Sequence, residues 1–226
     1  MPSYSMETSS KPSEVLQRAD CPVNLSVCDN SEYPKCPSKL VLAIWHFVGS
    51  PIVRSNVLPF SNLKAVILRS FGARVGANPL IKPGVRVKFP WLLTIGNHCW
   101  IGEDVWIDNL AQVTIGSHVC ISQGAYLCTG NHDWTAPNLK LFRRPITLED
   151  GSWVAAKATI CPNVVIGKCS IVTVGSVVLG NVPSFQIWGG NPAKYIRERI
   201  LGQRDYDPPS ASQATSNSLD PPSGRG

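Results

Sequence analysis

An aliphatic residue returns at every sixth position through much of this 226-residue chain. The repeated positions form three runs, which are Ile95, Ile101 and Ile107; Ile115, Ile121 and Leu127; and Leu148, Val154, Ile160, Ile166, Val172 and Val178. A helix would show a period of about 3.6 residues and an exposed strand a period of about 2. A period of six with short strands is typical of a parallel β-helix built from hexapeptide repeats.

The fifth position of each six-residue unit is small or β-branched. These residues are Cys99, Val105, Ala111, Val119, Ala125, Ser152, Ala158, Val164, Ser170 and Ser176. Both kinds of position should point inward and stack from coil to coil, with three units, about eighteen residues, closing one triangular coil. The repeat shifts by two residues between Ile107 and Ile115, and it is weak around Val87.

The remainder of the chain divides into flanking segments. Residues 1–37 are rich in Ser and Pro, residues 203–226 in Ser, Pro, Gly and Asp, and both are predicted to be disordered tails. Residues 38–74 should form a helical cap. Residues 75–182 should form the β-helix, which is interrupted by a loop at residues 129–147. Residues 183–202 should form a C-terminal segment with one short helix.

The predicted cap is a pair of helices. Ser38 should cap the first, which should end at Gly49-Ser50-Pro51. The second should run from Ser61 to Phe71, with Ser61 as its cap and Gly72 as its stop. These apolar helices are flanked by basic residues, so they could make a weak contact with a membrane surface. The alternative is that they cover the open end of the β-helix.

The composition is compatible with several classes of function and does not select one of them. Apolar residues make up 43% and charged residues 16%, which fits a globular core. The net charge of +6 suits an anionic small ligand, nucleic acid or a membrane surface. The eight cysteines contain no C-x-x-C pair, which favours reduced thiols and a cytoplasmic location. The first twenty residues show no secretory signal, and no apolar run is long enough to span a bilayer.

Four histidines are present, and one of them stands apart from the repeat. His98 and His118 fall at the fourth position of a unit, a corner where the side chain should point outward. His132 lies in the loop that interrupts the repeat, where a rigid scaffold would present it. An imidazole can take a proton from a hydroxyl near neutral pH. Without further context, a structural loop histidine is the commoner interpretation of such a residue.

Several motifs together resemble one enzyme family. They are the hexapeptide units, Thr-Gly-Asn-His at 129–132, Gly-Gly-Asn-Pro-Ala-Lys at 189–194, and the segments at 100–110 and 120–133. The chain resembles the hexapeptide-repeat acetyltransferases, which include maltose and galactoside O-acetyltransferases, and is most similar to the colanic acid biosynthesis acetyltransferases. The resemblance implies a mainly β fold, a left-handed parallel β-helix with an N-terminal helical pair and a short C-terminal helix.

The resemblance also implies an activity. An acetyl group would pass from acetyl-CoA, a co-substrate and not a bound cofactor, to a hydroxyl of a sugar or polysaccharide precursor, with no metal. His132 would be the general base, and the protein would be a homotrimer with active sites between subunits and no nucleic-acid partner. Asp108 could orient His132 or bind the sugar, or it could be a corner aspartate. Other acceptor contacts are expected from Asn109, Asn131, Asp133 and Trp134.

For acetyl-CoA, the resemblance implies four contacts at the C-terminal end of the repeat. Ala156 and Val174 match positions whose backbone groups bind the pantetheine arm. Lys194 and Arg197 match basic residues near the CoA phosphates. The helix predicted from Asn191, which should run to about residue 201, would add a positive dipole end for an anion.

Two other functions remain as alternatives. A non-catalytic scaffold subunit could keep the β-helix without activity. A γ-type carbonic anhydrase uses the same β-helix with three histidines on zinc, two of them about five residues apart. That spacing is absent, because His118 and His132 are fourteen residues apart, so the carbonic anhydrase is disfavoured.

Overall fold

The six-residue repeat folds into a parallel β-helix with three flat sheets. The computed structural model describes residues 23–27 and 31–202. Sheet A contains β1 (Arg74–Val75), β4 (Leu93–Ile95), β7 (Val113–Ile115), β12 (Ile146–Leu148) and β15 (Val165–Ile166). Sheet B contains β2 (Leu80–Ile81), β5 (Trp100–Ile101), β8 (Cys120–Ile121), β13 (Trp153–Val154), β16 (Ile171–Val172), β18 (Gln186–Gly190) and β19 (Ala193–Glu198). Sheet C contains β3 (Arg86–Val87), β6 (Trp106–Asp108), β9 (Tyr126–Cys128), β14 (Thr159–Ile160) and β17 (Val177–Val178).

The predicted inward ladders form the core. Every aliphatic position of the three runs is buried, and so are the small residues at the fifth positions. Ile107, Leu127 and Ile160 are each 0% exposed. Burying one such side chain stabilises the fold by roughly 1.5–3 kcal/mol. The sequence prediction of the mainly β, parallel β-helix fold is therefore confirmed.

Coil length differs between the two ends of the β-helix. Thr94 pairs with Thr114, twenty residues later, whereas Thr147 pairs with Val165, eighteen residues later. The expectation of eighteen residues for every coil is therefore wrong for the early coils. Their two additional residues lie in the C–A corner, our name for each connection from a sheet C strand to the next sheet A strand. The shift of the repeat after Ile107 marks this enlarged corner.

The first cap helix continues past its predicted end. Segment α1 (Lys39–Ile44) leads into a π-helical turn (Trp45–Gly49) and then α2 (Ser50–Arg54). Ser38 caps α1 as predicted, because its side chain accepts a hydrogen bond from the Val41 amide. The Gly-Ser-Pro stop is wrong, because Pro51 falls in the first turn of α2, directly after a widened π turn, where its missing N–H costs little.

The second cap helix, α3 (Ser61–Ser70), contacts β1 and β2 at the first coil. Ser61 does not cap it. Its hydroxyl instead accepts a 2.9 Å hydrogen bond from the Ile81 amide, which ties the helix to β2. Leu68 is buried against the β-helix core. These contacts favour a lid on the open end of the β-helix. None of the helices described is long and apolar enough to cross a membrane.

The predicted C-terminal helix is wrong. The chain instead forms the antiparallel hairpin β18–β19, and β18 extends sheet B by pairing with β16, Ile187 opposite Ile171. Asn191 and Pro192 resemble a helix start, but here they form the turn between the strands. The unpaired edge of the last coil supplies hydrogen-bonding groups that local capping signals cannot outweigh.

The prediction of disorder for residues 1–37 is wrong for the part that the structure describes. Residues 23–27 include a short 3-10 helix (Leu25–Val27), and residues 31–37 run alongside the β-helix with Pro34 buried. Residues 1–22, 28–30 and 203–226 lie outside the described residues, and so does the prediction made for them.

Lys64 on α3 is a buried cation. It is 0% exposed, and its ammonium group donates to the carbonyl oxygens of Lys82 at 3.0 Å and Ser55 at 3.4 Å. Burial lowers the pKa of Lys64, because the charged form loses hydration. The ammonium joins the lid to the first coil through backbone carbonyls alone.

We predict that Lys64 makes the stability of the fold rise with pH. The folded protein releases this proton at a lower pH than the unfolded chain, so folding is favoured as pH rises through the folded pKa towards 10.5. In urea unfolding at fixed protein concentration, wild type should gain free energy of unfolding relative to Lys64→Met between pH 7 and pH 10. A constant difference between the two proteins would contradict this.

Candidate active site

The loop that interrupts the repeat is a β-hairpin. Strands β10 (Gly130–His132) and β11 (Leu141–Arg143) pair antiparallel, with His132 opposite Leu141. The hairpin leaves the β-helix directly after β9 and returns to it at β12. It therefore projects from a C–A corner, outside the stacked coils.

A small second core supports this hairpin. Leu141 packs with Phe89 and Leu110 in a cluster separate from the main core, with Trp91 and Leu92 against it. A Cβ on Gly130 would lie only 2.4 Å from the Leu110 side chain, so glycine allows the first strand of the hairpin to approach the corner. The enlarged C–A corners of the early coils thus form the base of the hairpin.

His132 is exposed, and one side of its ring is fixed. Nδ1 lies 2.6 Å from the carbonyl oxygen of Leu139, at the far end of the hairpin turn. A carbonyl only accepts hydrogen bonds, so Nδ1 carries a proton, and in the neutral ring Nε2 is the nitrogen that can accept one. Asn131 contributes locally, because its side-chain oxygen accepts from the His132 amide at 2.8 Å.

Asp133 and Trp134 continue the hairpin turn. The Asp133 carboxylate accepts from the Thr135 hydroxyl at 2.6 Å and from its amide at 2.9 Å, and these bonds hold the Asp133 pKa below its ordinary value. Trp134 is 89% exposed. Both residues line a cavity of about 500 Å³ together with Lys140 and other hairpin residues and with Glu32 of the N-terminal segment. His132 is not among the lining residues.

Asp108 lies at the root of the hairpin, opposite Cys128. Its carboxylate is 2.9 Å from the Lys88 ammonium, and it accepts a 3.1 Å hydrogen bond from the Tyr126 hydroxyl. Burial, and then the neighbouring Cys128 and Asp108, raise the pKa of Tyr126, which keeps the phenol protonated as a donor. Within the single chain described, the polar contacts of the Asp108 side chain are with Lys88 and Tyr126 and not with His132.

Asn109 cannot contact a substrate in this structure, which corrects the sequence prediction. It is 0% exposed, and its side chain bonds the backbone of the preceding coil. Its oxygen accepts from the Phe89 amide, and its amino group donates to the carbonyls of Phe89 at 2.6 Å and Leu92 at 3.1 Å. The side chain replaces hydrogen bonds that the two enlarged corners cannot make with each other.

The residues expected to bind acetyl-CoA lie elsewhere on the β-helix. Ala156 and Val174 occupy neighbouring coils at one B–C corner, the connection from sheet B to sheet C, where the Gly175 amide donates to the Ala156 carbonyl. Among the described residues, the amides of Ala156 and Val174 have no hydrogen-bond partner. They are therefore available as donors to a ligand.

Lys194 and Arg197 lie on β19 and not at a helix start, so the expected helix dipole is absent. They are three residues apart, which in a regular strand would place them on opposite faces. The register shifts at this point: Lys194 pairs with Gly189 and Arg197 with Ile187. Because cross-strand pairs share a face, this bulge turns both basic residues to the same side.

Two groups at the site were missed by sequence reasoning. The Leu139 carbonyl belongs to the backbone, so no residue type could have indicated it. Arg143 is half-buried, and its guanidinium donates to the Leu110 carbonyl at 3.0 Å. The sequence predicted only a loop at residues 129–147, so the position of Arg143 opposite Gly130 required the structure.

The fold and hairpin define a class of protein, a parallel β-helix with a histidine on a hairpin between coils. The chain is 37% identical over 157 residues to the Escherichia coli (strain K12) protein named "Putative colanic acid biosynthesis acetyltransferase WcaF", which covers 70% of this chain and 86% of that protein. It is 29% identical over 142 residues to galactoside O-acetyltransferase of the same strain, covering 62% of this chain and 71% of that protein. No protein-family model matches the chain.

Solved structures agree. A hexapeptide-repeat acetyltransferase from Vibrio cholerae, VCA0836, superposes with a TM-score of 0.64 at 26% identity, covering 72% of this chain and 94% of that one. The same Vibrio protein has also been solved with acetyl coenzyme A bound. The chain belongs to the hexapeptide-repeat acetyltransferases, as its sequence motifs indicated. It is an enzyme of the class that takes its acyl group from acetyl-CoA.

We predict that Asn109→Ala lowers the free energy of unfolding by about 2–4 kcal/mol, because two buried backbone groups of Phe89 and the half-buried carbonyl of Leu92 lose their partners. Urea unfolding would measure the change, and Asn131→Ala, at an exposed position, should change stability by about 0.5 kcal/mol or less. At temperatures where the Asn109 variant remains folded, its KM for the acceptor should equal that of wild type. An altered acceptor KM with normal stability would restore the substrate role.

Proposed function

We propose that this protein transfers an acetyl group from acetyl-CoA to a hydroxyl of a sugar or polysaccharide precursor, with His132 as general base. The observation that carries the proposal is the 2.6 Å contact between His132 Nδ1 and the Leu139 carbonyl. That contact leaves Nε2 as the proton acceptor on an exposed ring held by a rigid scaffold. This arrangement is what general-base catalysis requires.

The chemistry needs no covalent enzyme intermediate. Nε2 takes the proton of the acceptor hydroxyl while its oxygen attacks the thioester carbonyl carbon. The tetrahedral intermediate then collapses, the carbon–sulfur bond breaks, and the departing CoA sulfur takes the proton back from the imidazolium. The Leu139 carbonyl stabilises the imidazolium through the hydrogen bond from Nδ1–H.

Acceptor contacts are proposed on the hairpin and at its root. Asn131 and Trp134 are exposed beside His132, and Asp133 holds the turn that follows it. Asp108 belongs to a network with Lys88 and Tyr126, so it would act on a sugar through a shared polar surface and not as a lone carboxylate. A sugar acceptor also agrees with the name of the similar galactoside O-acetyltransferase.

Acetyl-CoA is proposed to lie along the B–C corner. The unpaired amides of Ala156 and Val174 would donate to the amide carbonyls of the pantetheine arm. Lys194 and Arg197, on one side of β19, would contact the phosphates. The donor groups and His132 lie on different corners of one chain, so a second subunit is the natural source of the missing side of each site.

We therefore propose a homotrimer with active sites between subunits, in the cytoplasm. The cysteines in the described part of the chain are free thiols, which supports a reducing compartment. The cap helices expose Leu40, Phe47 and Phe60, so a weak contact with a membrane surface stays a prediction. The absence of a nucleic-acid partner stays a prediction.

We predict that His132→Ala lowers kcat by about 10²–10⁴-fold, since general-base catalysis contributes rate enhancements of that size. Thiol release from acetyl-CoA, measured with a panel of methyl glycosides, provides the assay. KM for acetyl-CoA should stay unchanged, because the ring is expected to act on the acceptor hydroxyl.

The matched control is His98→Ala. His98 is an exposed corner histidine stacked on His118 with 5.2 Å between ring centroids, and its variant should keep wild-type kcat. If His132→Ala turned over like wild type, His132 would not be the base. If wild type released no thiol with any acceptor, the scaffold alternative would gain support. The carbonic anhydrase alternative would hold its zinc at a subunit interface, so zinc analysis of the purified protein tests it, and stoichiometric zinc would overturn the proposed function.

We predict that Lys194→Gln raises KM for acetyl-CoA by about fivefold, the value of one exposed ion pair of about 1 kcal/mol. The same variant should leave KM for acetyl-pantetheine unchanged, because that donor lacks the nucleotide phosphates. Arg74→Gln, an exposed cation on the first coil, serves as control. An equal effect on both donors would place Lys194 away from the phosphates.

A further inference from the structure

We propose that the described N-terminal residues, 23–27 and 31–37, form a strap that holds the His132 hairpin in its catalytic position, with Arg143 as the positioning residue that joins the two. The proposal rests on the proposed function only for the role of His132. It assigns a purpose to a segment that precedes the helical cap and the β-helix. The strap makes three kinds of contact with the hairpin and its supporting core.

Two hydrogen bonds join the strap to the hairpin turn. The Asn24 amide donates a 2.9 Å hydrogen bond to the Pro137 carbonyl, and the Asn138 side-chain amide lies 3.5 Å from the Val27 carbonyl. Pro137 and Asn138 directly precede Leu139, whose carbonyl orients the His132 ring. The strap thus restrains the part of the turn that sets the tautomer of the base.

Arg143 connects three segments through one guanidinium. Its Nε donates to the Glu32 carbonyl of the strap, and its Nη1 donates to the Leu110 carbonyl of the C–A corner. Arg143 itself lies on β11, opposite Gly130 and two positions along from the residue that faces His132. A planar guanidinium with fixed donor directions suits such a junction, and an ammonium cannot reproduce both bonds in the same geometry.

Packing supplies the third contact. The Tyr33 ring meets Phe89 edge-on, with 5.9 Å between centroids, and Pro34 beside it is buried. Phe89 belongs to the same small core as Leu141, the residue that pairs with His132. The strap therefore covers the core on which the hairpin rests.

The hairpin needs this support because of its size. Each of its strands has three residues, and no coil stacks on it. An isolated two-stranded hairpin is marginally stable in water. A base displaced by about 1 Å can cost on the order of a hundredfold in rate, so a mobile hairpin would lower kcat even with His132 intact.

The first test is amide hydrogen exchange of the full-length protein, which requires no substrate. Arg143→Met and Tyr33→Ala should each speed exchange in residues 130–143 while exchange in the sheet strands stays at the wild-type rate. Arg69→Met is the matched control, because Arg69 also donates to two backbone carbonyls, those of Val75 and Gly76, at a distant point of the fold. Tyr33→Phe keeps the ring contact with Phe89 and should exchange like wild type.

The second test is kinetic. Arg143→Met should lower kcat by about tenfold or more, with KM for acetyl-CoA unchanged, and Arg143→Lys should recover part of the loss. Arg69→Met should keep wild-type kcat. If Arg143→Met fails to fold, the exchange test is made with Tyr33→Ala and the kinetic test with Arg143→Lys.

Unchanged exchange of residues 130–143 in Tyr33→Ala would overturn the strap, since the hairpin would then stand without it. Equal kcat in Arg143→Met and wild type would overturn the positioning role. Failure of the proposed function is a separate result: a wild-type protein without acyl transfer to any acceptor would leave the exchange data to decide on the strap alone.

Discussion

The structure depends on the in-register stacking of its coils. Each strand of the stacked coils pairs in parallel with the strand one coil away, so each inward residue must lie directly on its counterpart. The Ile101 and Ile121 side chains, buried in successive coils, follow this rule, and so do Val154 and Val172. A coil can gain residues only at a corner, because an insertion within a strand would turn its side chains to the other face. Insertions are therefore confined to corners.

The C–A corners show how that freedom is used. Two added residues per early coil leave backbone groups that the ladder cannot satisfy, and buried Asn109 bonds them. The same corners gather Phe89 and Leu110 into the small core beneath the hairpin. The polar network of Lys88, Asp108 and Tyr126 lies at the root of the hairpin, on or directly after strands of sheet C. The departure from eighteen residues is thus the physical basis for the hairpin.

The ladder could be predicted from sequence because period six is set by side-chain burial, which residue type reports directly. The predictions that were wrong concern residues whose role depends on backbone groups far away in the sequence. Asn109 carries a polar side chain that suggests a substrate contact, yet its partners lie one coil away. Asn191 and Pro192 have helix-start chemistry, but the open edge of sheet B decides the outcome. For His132 the sequence indicated the residue, whereas the Leu139 carbonyl that fixes its ring required the structure.

The remaining question is why a rigid scaffold would carry the proposed base, His132, on so small a hairpin. A residue within the ladder is fixed, and its outward side chain stacks on the side chains of neighbouring coils, as the Trp106 and Tyr126 rings do. Projection beyond the face requires leaving the stack, and leaving the stack forfeits the hydrogen bonds of neighbouring coils. Contacts from other parts of the chain must replace them. The small core, the Arg143 junction and the N-terminal segment do so, which makes the position of His132 depend on residues remote from it in sequence.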